Sequence, residues 1–456
     1  MSSDVIGEKI FVACAPGLEI ITAQEIRSLG FLPTNVAAAA VLGGVNAAKL
    51  DYTDGGVETI ISSTNNSDSD ANTHLEAVYR LNLFLRTASR VLVRLGEFYA
   101  AAFSELRKKA GRLEWEAYLS PGQSVALRVT CHKSRLYHSD AIAERVLGAI
   151  TDRMGSPVPL ARFNENASNT LPQLVVVRLL HDHVTISIDS SGEHMHRRGY
   201  RLAAAKAPLR ETLAAGMLLA SGWDRVSPLL DPFCGSGTIP IEAALLAKDL
   251  APGRLRRFAF MDWPGFDQDR YERLLVNSCQ SAREHEVYSR KVYNDKAWDW
   301  PSGDSLNDRD TKALGMAPAA PVSDHVAGAY DKAPTILSSD RDAGAIAMAE
   351  ANASRAGISD SIEFSCLAVS AVEPPAGSGW VITNPPYGLR VSAQKDLRNL
   401  YAQFGKVLRM KCPGWRYAIL CNDERLFSNS GLRPKAHLSF ENGGVPVKLY
   451  CGTVSD

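Results

Sequence analysis

The second half of the chain repeats one unit: a short apolar run, a turn rich in small or acidic residues, then helical spacing. It appears in "VSPLLDPFCGSGTIPIEAALLA" (226–247) and again in "PTILSSDRDAGAIAMAEANASRAG" (334–357). "GWVITNPPYG" (379–388) leads to the helical "DLRNLYAQFGKVLRM" (396–410), and "WRYAILCND" (415–423) is a further strand. Runs this short and this apolar, alternating with helices, predict a parallel, doubly wound sheet, so this half has an α/β fold. Residues 285–333, rich in Asp, Pro and Ser, break the rhythm and read as a surface insertion.

The first half is built differently. "KIFVACA" is a strand, and "GLEIITAQEIRSLG" has helical spacing at Leu18, Ile21, Ile26 and Leu29, with Gly30 as the stop. The polar tract 62–73, "SSTNNSDSDANT", predicts a disordered insertion. From 76 onward the pattern predicts a long amphipathic helix running into a strand. Arg86, Arg90 and Arg94 would share one helical face if the helix extends that far. "SVALRVTCHKSRLYH" (124–138) starts as a strand. "SDAIAERVLGAITDRM" (139–154) is a helix capped by Ser139 or Asp140, and 173–192 is two strands joined at His181-Asp182-His183.

With 456 residues the chain has room for two or three domains. No apolar run approaches the roughly 20 residues that span a bilayer. The opening "MSSDVIGEKIFVACAPGLE" resembles neither a secretory signal nor a transit peptide. Eight cysteines are scattered with no C-x-x-C pair, which argues against a zinc site and against a disulfide framework. We therefore expect reduced thiols, a cytoplasmic location, no membrane and no metal.

Formal net charge is zero, but the basic residues are unevenly placed. Arg80, Arg86, Arg90, Arg94, Arg107, Lys108, Lys109 and Arg112 have only Glu97 and Glu105 among them. "CHKSRLYH" (131–138), with Lys133 and Arg135, and "HMHRRGYRLAAAKAPLR" (194–210) are two more basic knots. Any one of these reads as a solvated face, whereas three together suggest a phosphate-contacting surface. For Arg86, Arg90 and Arg94 the alternative is pairing with acids inside the fold.

Ligands of open α/β sheets bind at the carboxyl ends of the strands. One such end is Asp231-Pro232-Phe233-Cys234-Gly235-Ser236-Gly237-Thr238. Gly235 and Gly237 allow a tight turn with backbone open to a ligand. The helix starting near Thr238 offers unpaired N–H groups to a carboxylate, and Asp231 offers a carboxylate to an ammonium group. The pair describes an amino acid. The turn matches neither the dinucleotide nor the P-loop fingerprint. A second strand ends at Asp340, placed to accept ribose hydroxyls, with Asp342 the better helix cap. Amino acid plus ribose without phosphate machinery points to S-adenosylmethionine.

The third end is Asn384-Pro385-Pro386-Tyr387. Prolines donate no N–H and hold Asn384 extended. The segment thus carries a rigid pair of carbonyl acceptors, the Asn384 side chain and the Pro385 backbone, beside an aromatic face. Such a pair suits an exocyclic NH2 on adenine, guanine or glutamine. Alone the tetrapeptide would be an ordinary turn. In order after a Gly-rich turn and a ribose acid, it is a far more specific signal.

Taken together, these stretches resemble the THUMP-domain RNA guanine-N2 methyltransferases, and within them the N-terminal methyltransferase module of bacterial large-subunit rRNA enzymes. The likeness is carried by "FVACAPGLEIITAQEIRSLG", "YRLNLFLRTASRVLVRL", "HRRGYRLAAAKAPLRETLAAGMLLASGW", "DPFCGSGTIPIEAA" and "TNPPYGLR". It implies a ferredoxin-like domain over 1–75, a THUMP RNA-binding domain over 76–192, and a Rossmann-like methyltransferase domain over 193–456 with the insertion near 285–333. In this likeness Asp231, Cys234, Gly235, Gly237, Thr238 and Asp340 fall at the cofactor site. Asn384, Pro385, Pro386 and Tyr387 fall at the target base. The expected activity is methyl transfer from S-adenosylmethionine to guanosine N2 in structured RNA, rRNA first and tRNA second. Methylation of adenine N6 or of protein glutamine, and RNA binding without catalysis, are the alternatives.

Overall fold

A computed structural model describes residues 8–33, 55–61, 70–165, 171–201, 209–284, 334–387, 394–442 and 444–455. The chain forms two compact units. One comprises Met1–Cys14, Thr22–His196 and Arg256–Leu275; the other comprises Ala15–Ile21, Arg197–Leu255 and Val276–Asp456.

The strands of the first unit are β1 (Glu8–Cys14), β2 (Leu32–Pro33), β3 (Gly56–Ile61), β4 (Ala88–Tyr99), β5 (Val125–His132), β6 (Gln173–Leu180) and β7 (His183–Asp189). They make one sheet in the order β2-β3-β1-β4-β7-β6-β5, in which β5 and β6 are parallel. The long β4 pairs with β1 on one edge and β7 on the other, so a single sheet runs through the two regions read separately from the sequence. The boundary placed at 75/76 lies within a helix, Asp70–Phe84.

Helices α1 (Glu19–Ser28), α2 (Asp70–Phe84), α3 (Phe103–Ala110) and α4 (Ser139–Met154) accompany these strands. Helix α4 has the limits expected from its sequence, but its N-cap is His138 with no side-chain bond, not Ser139 or Asp140. The polar tract expected to be disordered over 62–73 is helical from Asp70; residues 62–69 lie outside the described residues, as do 285–333.

The long helix expected to carry Arg86, Arg90 and Arg94 ends at Phe84. "ASRVLVRLGEFY" takes over as β4, because its β-branched alternation favours a strand. Arg86 and Arg90 are buried. Glu25, itself buried, accepts from the backbone N–H groups of Arg86 (2.8 Å) and Thr87 (3.0 Å). The Arg90 guanidinium donates to Asp189, Glu165 and the Gly192 carbonyl. Arg94 donates to Ser187 Oγ at 3.0 Å, lies 3.4 Å from Glu58 and sits over the Phe11 ring. These arginines are tied into the fold and present no shared basic face.

Residues 256–275 fall inside the region read as the methyltransferase domain, yet they complete the core of the first unit. Tyr79 stacks on Phe260 with centroids 4.8 Å apart and meets Phe266 and Tyr271 edge-on. The Trp263 indole donates to Gln173 at 2.9 Å, and the Asp267 N–H donates to the Tyr79 hydroxyl at 2.9 Å. Arg256 donates to the carbonyls of Ser191, Glu193 and His194. An aromatic-rich stretch, "RRFAFMDWPGF", gains more by burying its rings here than by staying exposed.

The second unit holds β8 (Leu229–Asp231), β9 (Ile336–Asp340), β10 (Ile362–Cys366), β11 (Trp380–Thr383), β12 (Arg416–Cys421), β13 (Ala436–Asn442) and β14 (Val445–Thr453). Their order is β10-β9-β8-β11-β12-β14-β13. The first five are parallel, and the β13–β14 hairpin closes the edge antiparallel. The expected doubly wound α/β sheet is present. Its strand order reverses at β8, between β9 and β11, and that switch point is where such sheets bind ligands.

Helices α5 (Glu211–Ser221), α6 (Thr238–Ala247), α7 (Gln268–Glu284), α8 (Ala343–Arg355), α9 (Gln394–Lys411) and α10 (Glu424–Ser428) follow in chain order, α7 straddling the two units. Residues Thr238–Leu246 of α6 are all buried, as expected of a helix that is apolar all round. Among the described residues no helix is long and apolar enough to cross a membrane.

Candidate active site

Asp231, Asp340 and Asn384 stand at or just past the carboxyl ends of β8, β9 and β11. Asp231 is 1% exposed, and β8 delivers it between two neighbouring strands. Its Oδ1 accepts from the Thr383 hydroxyl at 2.5 Å and from the Phe233 N–H at 3.2 Å. Its Oδ2 is buried with no hydrogen-bond partner among the described residues. Burial, reinforced by the nearby Asp340 carboxylate, pushes the Asp231 carboxyl up to about 7. An unsatisfied carboxylate oxygen in that position is placed to meet a cation.

The turn from β8 into α6 is shaped by two glycines in the left-handed region, Gly235 (φ 51°) and Gly237 (φ 85°). A Cβ on Gly237 would lie 2.9 Å from the Ala349 methyl, so both conformation and packing with α8 require glycine. A Cβ on Gly235 would meet no heavy atom of the described residues within 4 Å. Asn352 donates to the Ser236 carbonyl at 3.0 Å and the Cys234 N–H donates to the Ser339 carbonyl at 3.0 Å, which holds the turn rigid. The Cys234 thiol is buried, and burial pushes it far up, so it stays protonated.

Asp340 accepts from the Gly235 N–H (3.1 Å) and the Asp342 N–H (3.0 Å), one bond to each oxygen. A carboxylate oxygen takes two hydrogen bonds, so each can accept one more. Asp342 is the N-cap of α8, accepting from the Gly344 N–H at 2.9 Å. Asp342 is thus the cap, as its position suggested, while Asp340 keeps acceptor capacity to spare.

After β11 come Asn384, Pro385, Pro386 and Tyr387. The Asn384 Oδ1 is buried without a hydrogen-bond partner among the described residues. Tyr387 is half-buried, and its hydroxyl accepts from the Asn442 amide at 3.1 Å. Burial pushes the phenol above its usual range.

The structure therefore gathers Asp231, Cys234, Gly235, Gly237, Thr238, Asp340, Asn384, Pro385, Pro386 and Tyr387 in one unit. Lys133 and Arg135 lie in the other, in the exposed loop between β5 and α4. Sequence reading missed Thr383, Asn352 and Asn442. Thr383 borders the motif and was within reach; Asn442 comes from a distant hairpin and had no local signal.

An unpaired buried carboxylate, a glycine cradle at a helix start and an acid with lone pairs to spare fit an amino acid joined to a nucleoside. The class defined is that of the S-adenosylmethionine-dependent methyltransferases, with a Rossmann-like fold. Residues 198–449 match the family described as RMKL-like, methyltransferase domain, and residues 100–189 match the THUMP domain. The chain belongs to the RMKL-like methyltransferase family and carries a THUMP domain before the methyltransferase domain.

Among its relatives, a Synechocystis sp. protein bearing an RNA methyltransferase name is 31% identical, covering 96% of this chain and 95% of the relative. The ribosomal RNA large subunit methyltransferase K/L of Syntrophotalea carbinolica is 30% identical, covering 97% of this chain but 53% of that enzyme. The chain spans about half the length of such K/L relatives. A methyltransferase-type structure solved with S-adenosylhomocysteine superposes with a TM-score of 0.71 at 25% identity, covering 97% of both chains. A Listeria monocytogenes structure described as an N6-adenine-specific DNA methylase superposes with a TM-score of 0.71 at 28% identity, covering 98% and 95%.

One pH dependence follows from Asp231. An ammonium group favours the ionised carboxylate, whereas burial alone holds the proton up to about pH 7. Cofactor affinity should rise as pH increases from 6 and level off above about 7, with proton release on binding below that point. For folding the sign is opposite. Stability from the protonated form is present at low pH and is lost as pH rises through about 7. Calorimetry in two buffers of different ionisation enthalpy measures the released proton. In Asp231→Asn the pH dependence should vanish and binding weaken.

Proposed function

We propose that this chain transfers a methyl group to the exocyclic N2 amine of a guanosine in structured RNA, with large-subunit rRNA the first candidate and tRNA the second. The observation that carries this reading is the buried, unpartnered side-chain carbonyl of Asn384 at the cofactor edge of the sheet. The THUMP match and the RNA methyltransferase names of the relatives support RNA as the substrate class.

When bound, S-adenosylmethionine supplies a methyl group on a cationic sulfur, so neither metal nor strong base is required. Asp231 receives the ammonium, the N–H groups at the start of α6 receive the carboxylate, and Asp340 receives the ribose. Asn384 Oδ1 and the Pro385 carbonyl each accept one amine hydrogen, which turns the nitrogen lone pair toward the methyl group. Tyr387 offers a ring for the flipped base to stack on. As the amine forms its new bond it sheds one proton to solvent.

The functional division we assign keeps the order of the sequence reading but takes its boundaries from the two units: the first, with residues 256–275, serves RNA binding, and the second serves catalysis. Lys133 and Arg135 are the RNA contacts we retain. Arg86, Arg90 and Arg94 are engaged within the fold and are better assigned to stability.

Adenine N6 in DNA is the second reading, because the same acceptor pair would hold it and one structural relative bears that description. Labelled methyl transfer to rRNA, tRNA and DNA from cells lacking the gene, followed by nucleoside mass spectrometry, separates the two. N2-methylguanosine in RNA is expected. Label appearing only as N6-methyladenine overturns the proposal.

A further inference from the structure

We propose that the loop between β5 and α4, held against the β6–β7 turn, is a stacking platform for unpaired nucleotides, with Tyr137 as its principal ring. This rests on the reading that the substrate is RNA.

Tyr137 is 68% exposed, and its ring neighbour is His138, with centroids 4.1 Å apart and planes tilted by 39°. A single open ring is ordinary on a folded surface; what sets this one apart is the fixed backbone beneath it and the Lys133 cation on the same loop. The backbone beneath it is fixed. His181 (φ 50°) and Asp182 (φ 64°) make a left-handed turn, and Lys133 (φ 47°) makes a third left-handed position opposite. Non-glycine residues stay in that region only when their surroundings hold them there.

Asp182 does the holding. Its carboxylate accepts from the Arg135 N–H at 2.6 Å and from the Tyr99 hydroxyl at 3.3 Å, and its own N–H donates to Ser134 Oγ at 3.0 Å. Ser134 in turn donates to the His132 carbonyl at 3.0 Å. One acid thus ties together the turn, the loop and a second surface ring, Tyr99, which is 42% exposed and edge-on to His183.

The charge suits a phosphate chain. Lys133 is exposed; on the other side of Ser134 the Arg135 side chain, 72% exposed, lies 3.5 Å from the Asp182 carboxylate, an open pair that leaves its outer N–H groups facing solvent. From His132 a groove of about 420 Å³ continues over the sheet, lined in part by Thr130, Arg178 and Thr185. Rings beside cations on a rigid loop read base faces and backbone together. Base faces are available in single strands and loops and are hidden inside an A-form duplex, so the ligand is unpaired RNA.

The test titrates the full chain against a single-stranded RNA of about 12 nucleotides and against a duplex of the same length. Tyr137→Ala should weaken single-strand binding about tenfold and leave the salt dependence unchanged, with duplex binding hardly affected. Tyr137→Phe should restore the affinity. Lys133→Ala should weaken both RNAs and lower the salt slope by about one. Because Tyr137 is on the surface, thermal midpoints should not move. Wild-type affinity in Tyr137→Ala, equal losses for single strand and duplex, or full displacement of the RNA by polyglutamate would each overturn the platform. If the wild-type chain binds neither RNA, the RNA reading itself falls with it.

Discussion

Asn384→Ala is expected to give a folded protein that binds S-adenosylmethionine and transfers methyl groups at a rate reduced by about 10²–10³-fold or more, the range seen when one preorganised polar contact to a reacting group is removed. The side-chain oxygen has no partner among the described residues, so deleting it breaks no hydrogen bond seen there. It relieves a buried polar atom, and the fold should be as stable as before or slightly more so. An amine with only the Pro385 carbonyl to accept from it would keep rotating, and its lone pair would rarely point at the methyl group. Tyr387→Phe makes the contrast. It keeps the ring and loses the Asn442 bond, worth about 1 kcal/mol, so a loss of about fivefold or less is expected. Single-turnover methylation normalised to folded protein reads both variants. If the Asn384 variant melts earlier while its folded fraction retains full activity, the segment is only a turn and the mechanism fails.

Arg90→Ala should unfold the first unit more readily by about 3–5 kcal/mol, the cost of removing one partner from a buried ion pair. The guanidinium side chain is 5% exposed and joins Asp189, whose side chain is 0% exposed, to Glu165 and the Gly192 carbonyl. Burial already pushes the Asp189 carboxyl above its usual range despite the arginine beside it. Without Arg90 it would take up a proton or bring water into the core. Arg94→Ala should cost less, about 1 kcal/mol, since its pair with Glu58 is long and partly open to solvent. Thermal melts beside an RNA titration discriminate the roles. An unchanged midpoint with a lower salt slope in Arg90→Ala would make this arginine a phosphate contact after all.

The arginines show why part of the fold was hard to read. A spacing of four residues keeps side chains on one face of a helix and equally on one face of a strand, so Arg90 and Arg94 fit both. The following β-branched run decided the matter. In the second unit the strands were legible because a buried parallel strand has no polar face and reads as an uninterrupted apolar run. The candidate site was legible where residues that end neighbouring strands stand in a row, as in Asp231–Thr238 and Asn384–Tyr387. It was not legible where contacts cross the sheet. The hydroxyl of Thr383 on Asp231 joins residues 152 apart, and the amide of Asn442 on Tyr387 joins residues 55 apart. Nor does composition reveal that Asp231 holds its proton to about pH 7, because burial sets that value.

The path of the backbone has a consequence for biosynthesis. It passes from one unit to the other after Cys14, Ile21, His196, Leu255 and Leu275. The ribosome completes all seven strands of the first sheet by Asp189, yet Tyr79 and Gln173 still lack Phe260 and Trp263. A nascent chain halted before Leu255 would carry an open aromatic cleft prone to sticking. A gene fragment ending at His196 inherits the same wound. The RNA-binding half cannot be lifted out as a contiguous cassette, and a graft that is to fold must bring residues 256–275 with it.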